Sequence, residues 1–433
     1  MSQANFLNRQ ALYLRPDPTR VVVRPFKPTT EPKDLKPSEK TRANHIVDRV
    51  LALDEETVTR QLADVLENFE GRHRNLLRTF ELRAAEMEAA LFNHPSFTKA
   101  QSQLAGAYFL NEYSFEASAL FNPSIVPHPD QGLAPPGGLR FILSLRAVGE
   151  GHVSSLTFRA GTITKDGSVS IDPTARLAAT SKLPKDFDAA IDQPVEVSFD
   201  TGDISERVLF PVTAAQSNGI EDARFVLFED GDQSTYYATY TAYSSAGIRS
   251  ELIETKDFLS FRMTPLKGSA AVNKGMALFP RKIDGRYAMI GRQDNENLYL
   301  IYSDDLITWN GGKPILKPLW PWEFVQIGNC GSPIELKEGW LLFTHGVGPV
   351  RRYSIGAALL DKHDPGKVLA RSRDPLVHPD VSQREGYVPN VVYTCGAIRH
   401  GSRIILPYAV SDTYSNFATI KIRSLLEAME PVA

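Results

Sequence analysis

A short acidic and basic run stands at the mouth of a strand-like segment near the middle of the chain. In NGIEDARFVLFEDG, residues 218–231, Glu221 and Asp222 precede Arg224 and an apolar run. Carboxylates bind sugar hydroxyls and can protonate a leaving oxygen, and a guanidinium can orient a carboxylate or bind an anion. The pattern indicates either the edge of an active site or a solvated turn with a local ion pair.

Polar residues recur at corresponding places in the other strand-like segments. These residues are Asn122 and Arg146, Lys274 and Arg292, Gln326 and His345, and Asn390 and Asp412. Acidic residues suit a polyhydroxylated substrate, and Arg, Lys and His together suit phosphate. The set therefore predicts a sugar-active or anion-binding site. Each residue also has a structural alternative, such as a surface ion for Lys274 and Arg292, a core histidine for His345 or a turn for Asp412.

The elements that must position these residues are short strands in a recurring unit. From about residue 116, β-like runs alternate with Gly, Asp and Asn turns, and the later copies recur roughly every 55–60 residues. Five copies predict an all-β five-bladed β-propeller over 116–433, with residues about 163–212 holding extra strands and an insertion. The first strand of each blade would line a central channel. A β-sandwich with coincidental turn spacing is the alternative.

The region before the propeller has a different composition. Residues 1–40 are rich in Pro and Lys and predict an extended arm or linker, in which residues 20–24 form an edge strand. Residues 41–115 are rich in helix formers and predict an N-terminal α-helical module. Asp54 with Thr57 predicts a helix start, and further helices are expected over 73–91 and 96–109. This module could mediate homo-oligomerisation or cover the site.

Bulk properties exclude several classes of protein. The 48 basic and 51 acidic residues nearly balance, which gives no support for a nucleic-acid or anionic-membrane surface. No apolar run approaches ~18 residues, and the N-terminus lacks the apolar segment of a secretory signal. The two cysteines, Cys330 and Cys395, form neither a CxxC pair nor a metal cluster. A reduced, cytoplasmic protein without a metal is expected.

Residues 121–425 resemble glycoside hydrolase family 130, the β-mannoside phosphorylases and related hydrolases. The stretches that carry the resemblance are FNPS, GIEDAR, LFPRKIDGRYAMIGR, EGWLLFTHGV, YSIGAALLDKHDP and GYVPNVVYTCGA. Several collinear motifs of this length are far more specific than any single one. The resemblance leaves the helical module outside and implies a five-bladed propeller, in agreement with the repeat count.

The resemblance also implies roles for individual residues. The family's general acid falls on Asp222, with Glu221 and Arg224 as substrate-binding or orienting partners. Its sugar-binding residues fall on Asn122, Arg146 and Asp412. Its phosphate-binding residues fall on Lys274, Arg292 and His345. No cofactor is implied beyond inorganic phosphate as a co-substrate. Two departures stand out, because the motif's usual proline is Ala223 and a phosphate-binding lysine of the family is Gln326.

The expected reaction is inverting phosphorolysis of a β-linked mannoside, giving α-mannose 1-phosphate and a shortened acceptor. An inverting β-mannosidase is the alternative, and it would need a second carboxylate about 6.5–9.5 Å from the acid to activate water. Glu150, Glu221 and Glu296 are the candidates for that role. A carbohydrate-binding propeller without catalysis is a third possibility. The linkage, β-1,2 or β-1,4, and the acceptor sugar stay open.

Overall fold

The structure of the chain is a computed structural model. It describes residues 6–28, 31–32, 34–36, 39–88, 96–190, 192–200 and 202–432. These residues form two compact units. One comprises the described parts of Met1–Pro18, Phe115–Ala175 and Ala179–Ala433, and the other those of Thr19–Ser114 and Arg176–Ala178. Among the described helices, none is both long and apolar enough to cross a membrane.

The N-terminal region, expected as an extended arm, contributes a strand to each unit. These strands are β1 (Leu7–Arg9) in the larger unit and β2 (Val21–Pro25) in the smaller one. In the smaller unit β2 pairs antiparallel with β3 (Leu110–Ser114), so the strand predicted over 20–24 is present.

Helices make up most of the smaller unit. They are α1 (Arg42–Leu51), α2 (Glu55–Phe69), α3 (Leu76–Glu88) and α4 (Lys99–Tyr108). Helix α2 begins as predicted, because the Asp54 side chain accepts a hydrogen bond from the Thr57 backbone N–H at 2.7 Å. Gly106 lets α4 approach α3, since a β-carbon there would lie 1.9 Å from the Phe80 carbonyl oxygen. The end of the helix predicted over 73–91, from residue 89 onward, lies outside the described residues.

The larger unit is built almost entirely of strands. In chain order they are β4 (Ala119–Pro127), β5 (Leu139–Val148), β6 (Ser154–Ile163), β7 (Val169–Ile171), β8 (Ala179–Thr180), β9 (Val195–Ser198), β10 (Arg207–Leu209), β11 (Gly219–Asp230), β12 (Gln233–Ser244), β13 (Gly247–Thr255), β14 (Ser260–Pro265), β15 (Ala277–Leu278), β16 (Tyr287–Gly291), β17 (Leu298–Ser303), β18 (Lys313–Leu316), β19 (Gln326–Asn329), β20 (Ile334–Glu335), β21 (Trp340–Gly348), β22 (Arg352–Leu360), β23 (Val368–Arg371), β24 (Val392–Tyr393), β25 (Ile398–His400), β26 (Arg403–Val410), β27 (Tyr414–Lys421) and β28 (Glu430–Pro431). Helix α5 (Ile422–Glu427) follows β27.

These strands form five antiparallel meanders that succeed one another along the chain. The first is β4–β7, the second β11–β14, the third β15–β18, the fourth β19–β23 and the fifth β24–β27. Strand β28 adds to the edge of the fourth, and β1 to the edge of the fifth. The first two meanders share one eleven-stranded sheet through a single register pair, Gly219 with Ser154. Strands β7–β10 lie in the region, about 163–212, in which extra strands were expected.

Hydrophobic cores lie between successive meanders. Phe158 of the first packs with Phe225 of the second, and Val226 of the second packs with Met289 of the third. A third core joins meanders three and four, a fourth joins four and five, and a small cluster joins the fifth to the first. Strand β11 therefore buries both faces, which explains why its sequence shows a continuous apolar run instead of alternation.

Candidate active site

One cavity receives side chains from all five meanders. Its lining comprises Asn122, Arg146, Asp222, Lys274, Arg292, His345, Arg351, Tyr353, Val391, Tyr393 and Asp412. Seven of these eleven residues are ones that the sequence singled out. The repeat thus brings together side chains that are up to 290 positions apart in the chain.

Asn122 and Asp222 occupy matching β-bulges in the first strands of the first two meanders. Strand β4 changes register with β5 around Asn122, and β11 does so with β12 around Asp222. The two residues take left-handed φ angles of 50° and 55°. A bulge redirects a side chain away from the regular alternation of a strand. Here it lets Asn122 Nδ2 donate to Asp222 Oδ1 at 2.6 Å.

Basic side chains surround the Asp222 carboxylate. Arg146 Nη1 lies 3.4 Å from Asp222 Oδ1, and Arg146 Nη2 donates to Glu221 Oε1 at 2.5 Å. Lys274 Nζ lies 3.7 Å from the other oxygen of Glu221. Burial would raise the pKa of Asp222, but the positive charges of Arg146 and Lys274 outweigh burial and lower this pKa to about 2. The carboxyl is therefore ionised at neutral pH.

Asp412 is the second carboxyl group that lines the cavity. It lies in the turn between β26 and β27 with a left-handed φ of 48°. Burial raises the pKa of Asp412, and the negative charge of Asp222 raises it further, to about 6. Between about pH 2 and about pH 6, Asp222 is therefore ionised while Asp412 is largely protonated, and paired groups of unlike pKa occur in many sites that transfer protons.

Arg292 and His345 form a contact on the wall of the cavity. Arg292 Nη1 lies 3.3 Å from His345 Nε2. Because a guanidinium only donates, Nε2 of His345 must accept and carries no proton. Burial, and then the positive charge of Arg292, hold the pKa of His345 well below its usual range. A neutral His345 ring would orient Arg292 and supply no positive charge of its own, and its part in phosphate binding stays a prediction.

Residues 156–431 match the model of the family described as β-1,4-mannooligosaccharide phosphorylase, glycoside hydrolase family 130. The chain belongs to glycoside hydrolase family 130. The matched range holds all the meanders except parts of the first, so Asn122 and Arg146 lie before it.

Curated relatives in family 130 are similar over about half of the chain. A 1,2-β-oligomannan phosphorylase of Thermoanaerobacter sp. (strain X514) is 34% identical over 230 residues, which cover 51% of this chain and 75% of that protein. A β-1,2-mannobiose phosphorylase of Listeria innocua is 34% identical over 232 residues, which cover 51% and 63%.

Solved family 130 structures share the fold. The L. innocua β-1,2-mannobiose phosphorylase in complex with β-1,2-mannobiose has a TM-score of 0.52 at 23% identity, covering 72% of this chain and 92% of that one. At this identity the likeness concerns the fold alone. It agrees with the strand-rich architecture expected from the sequence.

Both departures from the family 130 motifs adjoin residues that line the cavity. Ala223 is buried in the core between the first two meanders, and Asp222 keeps its left-handed backbone without the usual proline. Gln326 begins β19 beside Arg292. With its amide oxygen toward the arginine, Gln326 accepts from Arg292 Nη1 at 3.1 Å and donates to the Asn295 carbonyl at 3.3 Å. The position of the family's lysine therefore carries no charge in this chain.

Three lining residues with polar side chains were missed by sequence reasoning. Tyr353 stacks on the His345 ring with centroids 5.8 Å apart, and Tyr393 accepts a hydrogen bond from Arg224 Nη2 at 2.7 Å. Both tyrosines lie within stretches that carry the family resemblance, so a closer reading of polar groups in those stretches would have found them. The third is Arg351, which lies two residues before Tyr353 and outside those stretches.

Several other sequence candidates do not line the cavity. Glu221 and Arg224 lie behind its wall, where they contact Arg146 and Tyr393, so their position favours the orienting role, and direct substrate binding stays a prediction. Arg224 is buried and donates to the backbone carbonyl of Asp222 at 3.1 Å. Glu150, Glu296 and Asn390 are also absent from the lining of the cavity. The Asn390 backbone carbonyl accepts a hydrogen bond from the N–H of Tyr353, a lining residue, at 3.0 Å.

Proposed function

We propose that the protein cleaves β-1,2-linked mannosides by inverting phosphorolysis in this cavity. The observation that carries the proposal is an excess of positive charge beside a buried carboxylate. Among the described residues, Arg146, Lys274, Arg292 and Arg351 line the cavity together with two carboxylates, Asp222 and Asp412. Even with Glu221 behind the wall, one positive charge is left over, or two when Asp412 is protonated. A buried excess of this sign favours an anionic co-substrate.

The β-1,2 linkage rests on the relatives. The two at 34% identity are named for β-1,2-linked substrates, and a β-1,4-mannooligosaccharide phosphorylase of Ruminococcus albus is 30% identical over 220 residues. We assign the mannose ring to Asn122, Arg146 and Asp412, whose amide, guanidinium and carboxyl groups match sugar hydroxyls. We assign phosphate to the side of the cavity that holds Lys274 and Arg292.

In the proposed reaction a phosphate oxygen attacks the anomeric carbon from the side opposite the glycosidic oxygen. The new bond forms as the glycosidic carbon–oxygen bond breaks, which inverts the anomeric centre and gives α-mannose 1-phosphate. The leaving oxygen takes up a proton that originates on Asp222 and passes through a sugar hydroxyl. The shortened mannoside then departs.

The low pKa of Asp222 in the unliganded cavity is compatible with this role. Arg146 and Lys274 keep the carboxyl ionised before substrates bind. A phosphate dianion beside Lys274 would offset that positive charge and raise the pKa of Asp222. Arrival of the nucleophile would thus prepare the proton donor, and the acid would be protonated only in the complete complex.

We also propose that the five meanders close into a five-bladed β-propeller. The support is the cyclic order of the cores, in which each meander packs on the next. Ala409 of the fifth packs with Ala119, Phe121 and Val148 of the first. Pairing of β1 with β27 would tie the N-terminal segment into the last blade. A ring of this kind explains why one cavity collects residues from every meander.

The deciding experiment is incubation with β-1,2-mannobiose in the presence and absence of phosphate. Release of α-mannose 1-phosphate that requires phosphate supports the proposal. Free mannose formed at the same rate without phosphate would show that the reaction is hydrolysis and not phosphorolysis. In that case Asp412, the other carboxyl group of the cavity, would activate water. β-1,4-Mannobiose run in parallel tests the linkage.

A further inference from the structure

The hairpin between β21 and β22 carries an arginine into the cavity at a conformational cost. Val350 and Arg351 both have left-handed φ angles, 57° and 53°. Non-glycine residues pay roughly 1–2 kcal/mol each for this conformation, and a β-branched valine is especially unfavourable there. The tip also leaves the Val350 side chain 89% exposed. These features have no packing benefit for the valine, but they accompany a turn in which Arg351 lines the cavity.

Arg351 and the next residue, Arg352, differ sharply in their partners. Arg352 Nη2 lies 3.1 Å from His378 Nδ1 and donates to the Pro379 carbonyl at 3.3 Å. Within the described ranges, Arg351 has no hydrogen bond or ion pair. Its guanidinium carbon lies 6.0 Å from the centroid of the Tyr353 ring, at the outer limit of a cation–π contact. Arg352 thus serves the protein's own structure, whereas Arg351 presents its donors to the cavity.

This chain lacks one cation that the family 130 resemblance implies for phosphate binding. The resemblance places a phosphate-binding lysine where this chain has Gln326, and the Gln326 amide faces Arg292. Arg351 comes from the same meander as Gln326. Strand β19, which begins at Gln326, pairs with β21 through Gln326 and Val347, four residues before Arg351. Arg351 therefore lies in the hairpin that continues from the strand paired with Gln326.

We propose that Arg351 binds the attacking phosphate and replaces the charge lost at Gln326. This inference rests on the proposed phosphorolysis for the identity of the anion. Phosphate would then be held by Lys274, Arg292 and Arg351. In the third meander, Lys274 lies before β15 and Arg292 directly after β16. Arg351 comes from the fourth meander. A guanidinium offers paired donors that match two phosphate oxygens.

The test uses Arg351→Met and its matched control Arg352→Met, each of which removes a charge but keeps most of the apolar stem. In phosphorolysis of β-1,2-mannobiose, R351M should raise KM for phosphate about 10–100-fold, as expected for lost charged hydrogen bonds, and leave KM for mannobiose within about twofold. R352M should leave both KM values near those of the parent. Gln326→Lys added to R351M should restore part of the phosphate affinity, a gain that a folding defect would not produce.

Other outcomes contradict the proposal. A raised KM for mannobiose with an unchanged KM for phosphate would indicate that Arg351 binds the mannoside at the acceptor site and not phosphate. Unchanged KM values for both substrates would show that Arg351 binds neither phosphate nor mannobiose. An equal effect of R351M and R352M would indicate a structural disturbance of the hairpin.

A second measurement separates this inference from the proposed reaction. Sulfate is a non-reactive dianion, and its binding is read from the rise in Tm with sulfate concentration. If the parent gains Tm in sulfate and R351M loses most of that gain while R352M keeps it, Arg351 belongs to an anion site even without phosphorolysis. If R351M and the parent respond alike, the inference fails even when phosphorolysis is observed. No sulfate response in a parent that also lacks phosphorolysis would overturn both.

Discussion

Two buried arginine–carboxylate clusters in the larger unit serve different purposes. In the fourth meander, Arg371 Nη2 donates to both carboxylate oxygens of Glu323 at 2.8 Å, and Arg371 Nη1 donates to the Lys317 carbonyl at 3.0 Å. Glu323 is fully buried and also accepts from the Trp320 N–H at 3.1 Å. Neither charged side chain has a buried nitrogen or oxygen without a partner. This cluster is complete without a ligand.

The cluster in the cavity, in contrast, contains buried polar atoms that have no hydrogen-bond partner. Asn122 Oδ1 and Arg292 Nε are buried without a hydrogen-bond partner. Asn122, Asp222, Asp412 and Arg351 all have left-handed backbones. Unsatisfied polar atoms and strained backbone each cost free energy, and they tend to collect at functional sites. The comparison distinguishes a cluster that stabilises the fold from one arranged for a ligand.

The largest expected effect is a loss of turnover, which should follow a change in the cavity cluster but not a change in the structural cluster. Asp222→Asn keeps the shape of the side chain and its contact with Asn122 but removes the proton donor. We expect kcat for phosphorolysis to fall about 10²–10⁴-fold, the usual contribution of general acid catalysis. The Tm should stay within a few degrees of the parent. Full activity in this variant would mean that another group, with Asp412 the first candidate, donates the proton.

The converse change breaks the structural cluster. Arg371→Met leaves the Glu323 carboxylate buried without its partner, and we expect the free energy of unfolding to drop by about 3–5 kcal/mol. Chemical denaturation measures this loss, and kcat per folded molecule should be unchanged. Replacing Glu323 by Leu in the same variant should recover much of the stability. A loss of kcat without a loss of stability would contradict the division between the clusters.

Sequence reasoning found most of the site because the repeat predicts which strand positions face one channel. Asn122, Asp222 and Asp412 were found in this way although none of them is near another in sequence. The repeat says nothing about hairpin tips, so Arg351 was missed. It also cannot tell whether a histidine is charged, because the neutral state of His345 depends on burial and on Arg292, which only the folded chain brings together.

A smaller effect concerns the charge balance of the cavity. Ionisation of Asp412, with a pKa of about 6, removes one unit of net positive charge as the pH rises. Sulfate stays a dianion over this range, so its affinity should weaken by a few-fold between about pH 5 and about pH 7.5. In Asp412→Asn the affinity should stay near the low-pH value throughout. An identical pH dependence in parent and variant would assign the titration to another group.

The smallest expected effect concerns the bulge that aims Asp222. In the matching bulge of the first meander, left-handed Asn122 is followed by Pro123, so this backbone accommodates proline after a left-handed residue. Ala223→Pro should therefore raise the free energy of unfolding by about 0.4–1 kcal/mol, chiefly by restricting the unfolded chain. Because Asp222 would keep its orientation, kcat should not change. A destabilised variant would show that the two bulges differ at the residue after the polar side chain, and that the alanine is required by the core between the first two meanders.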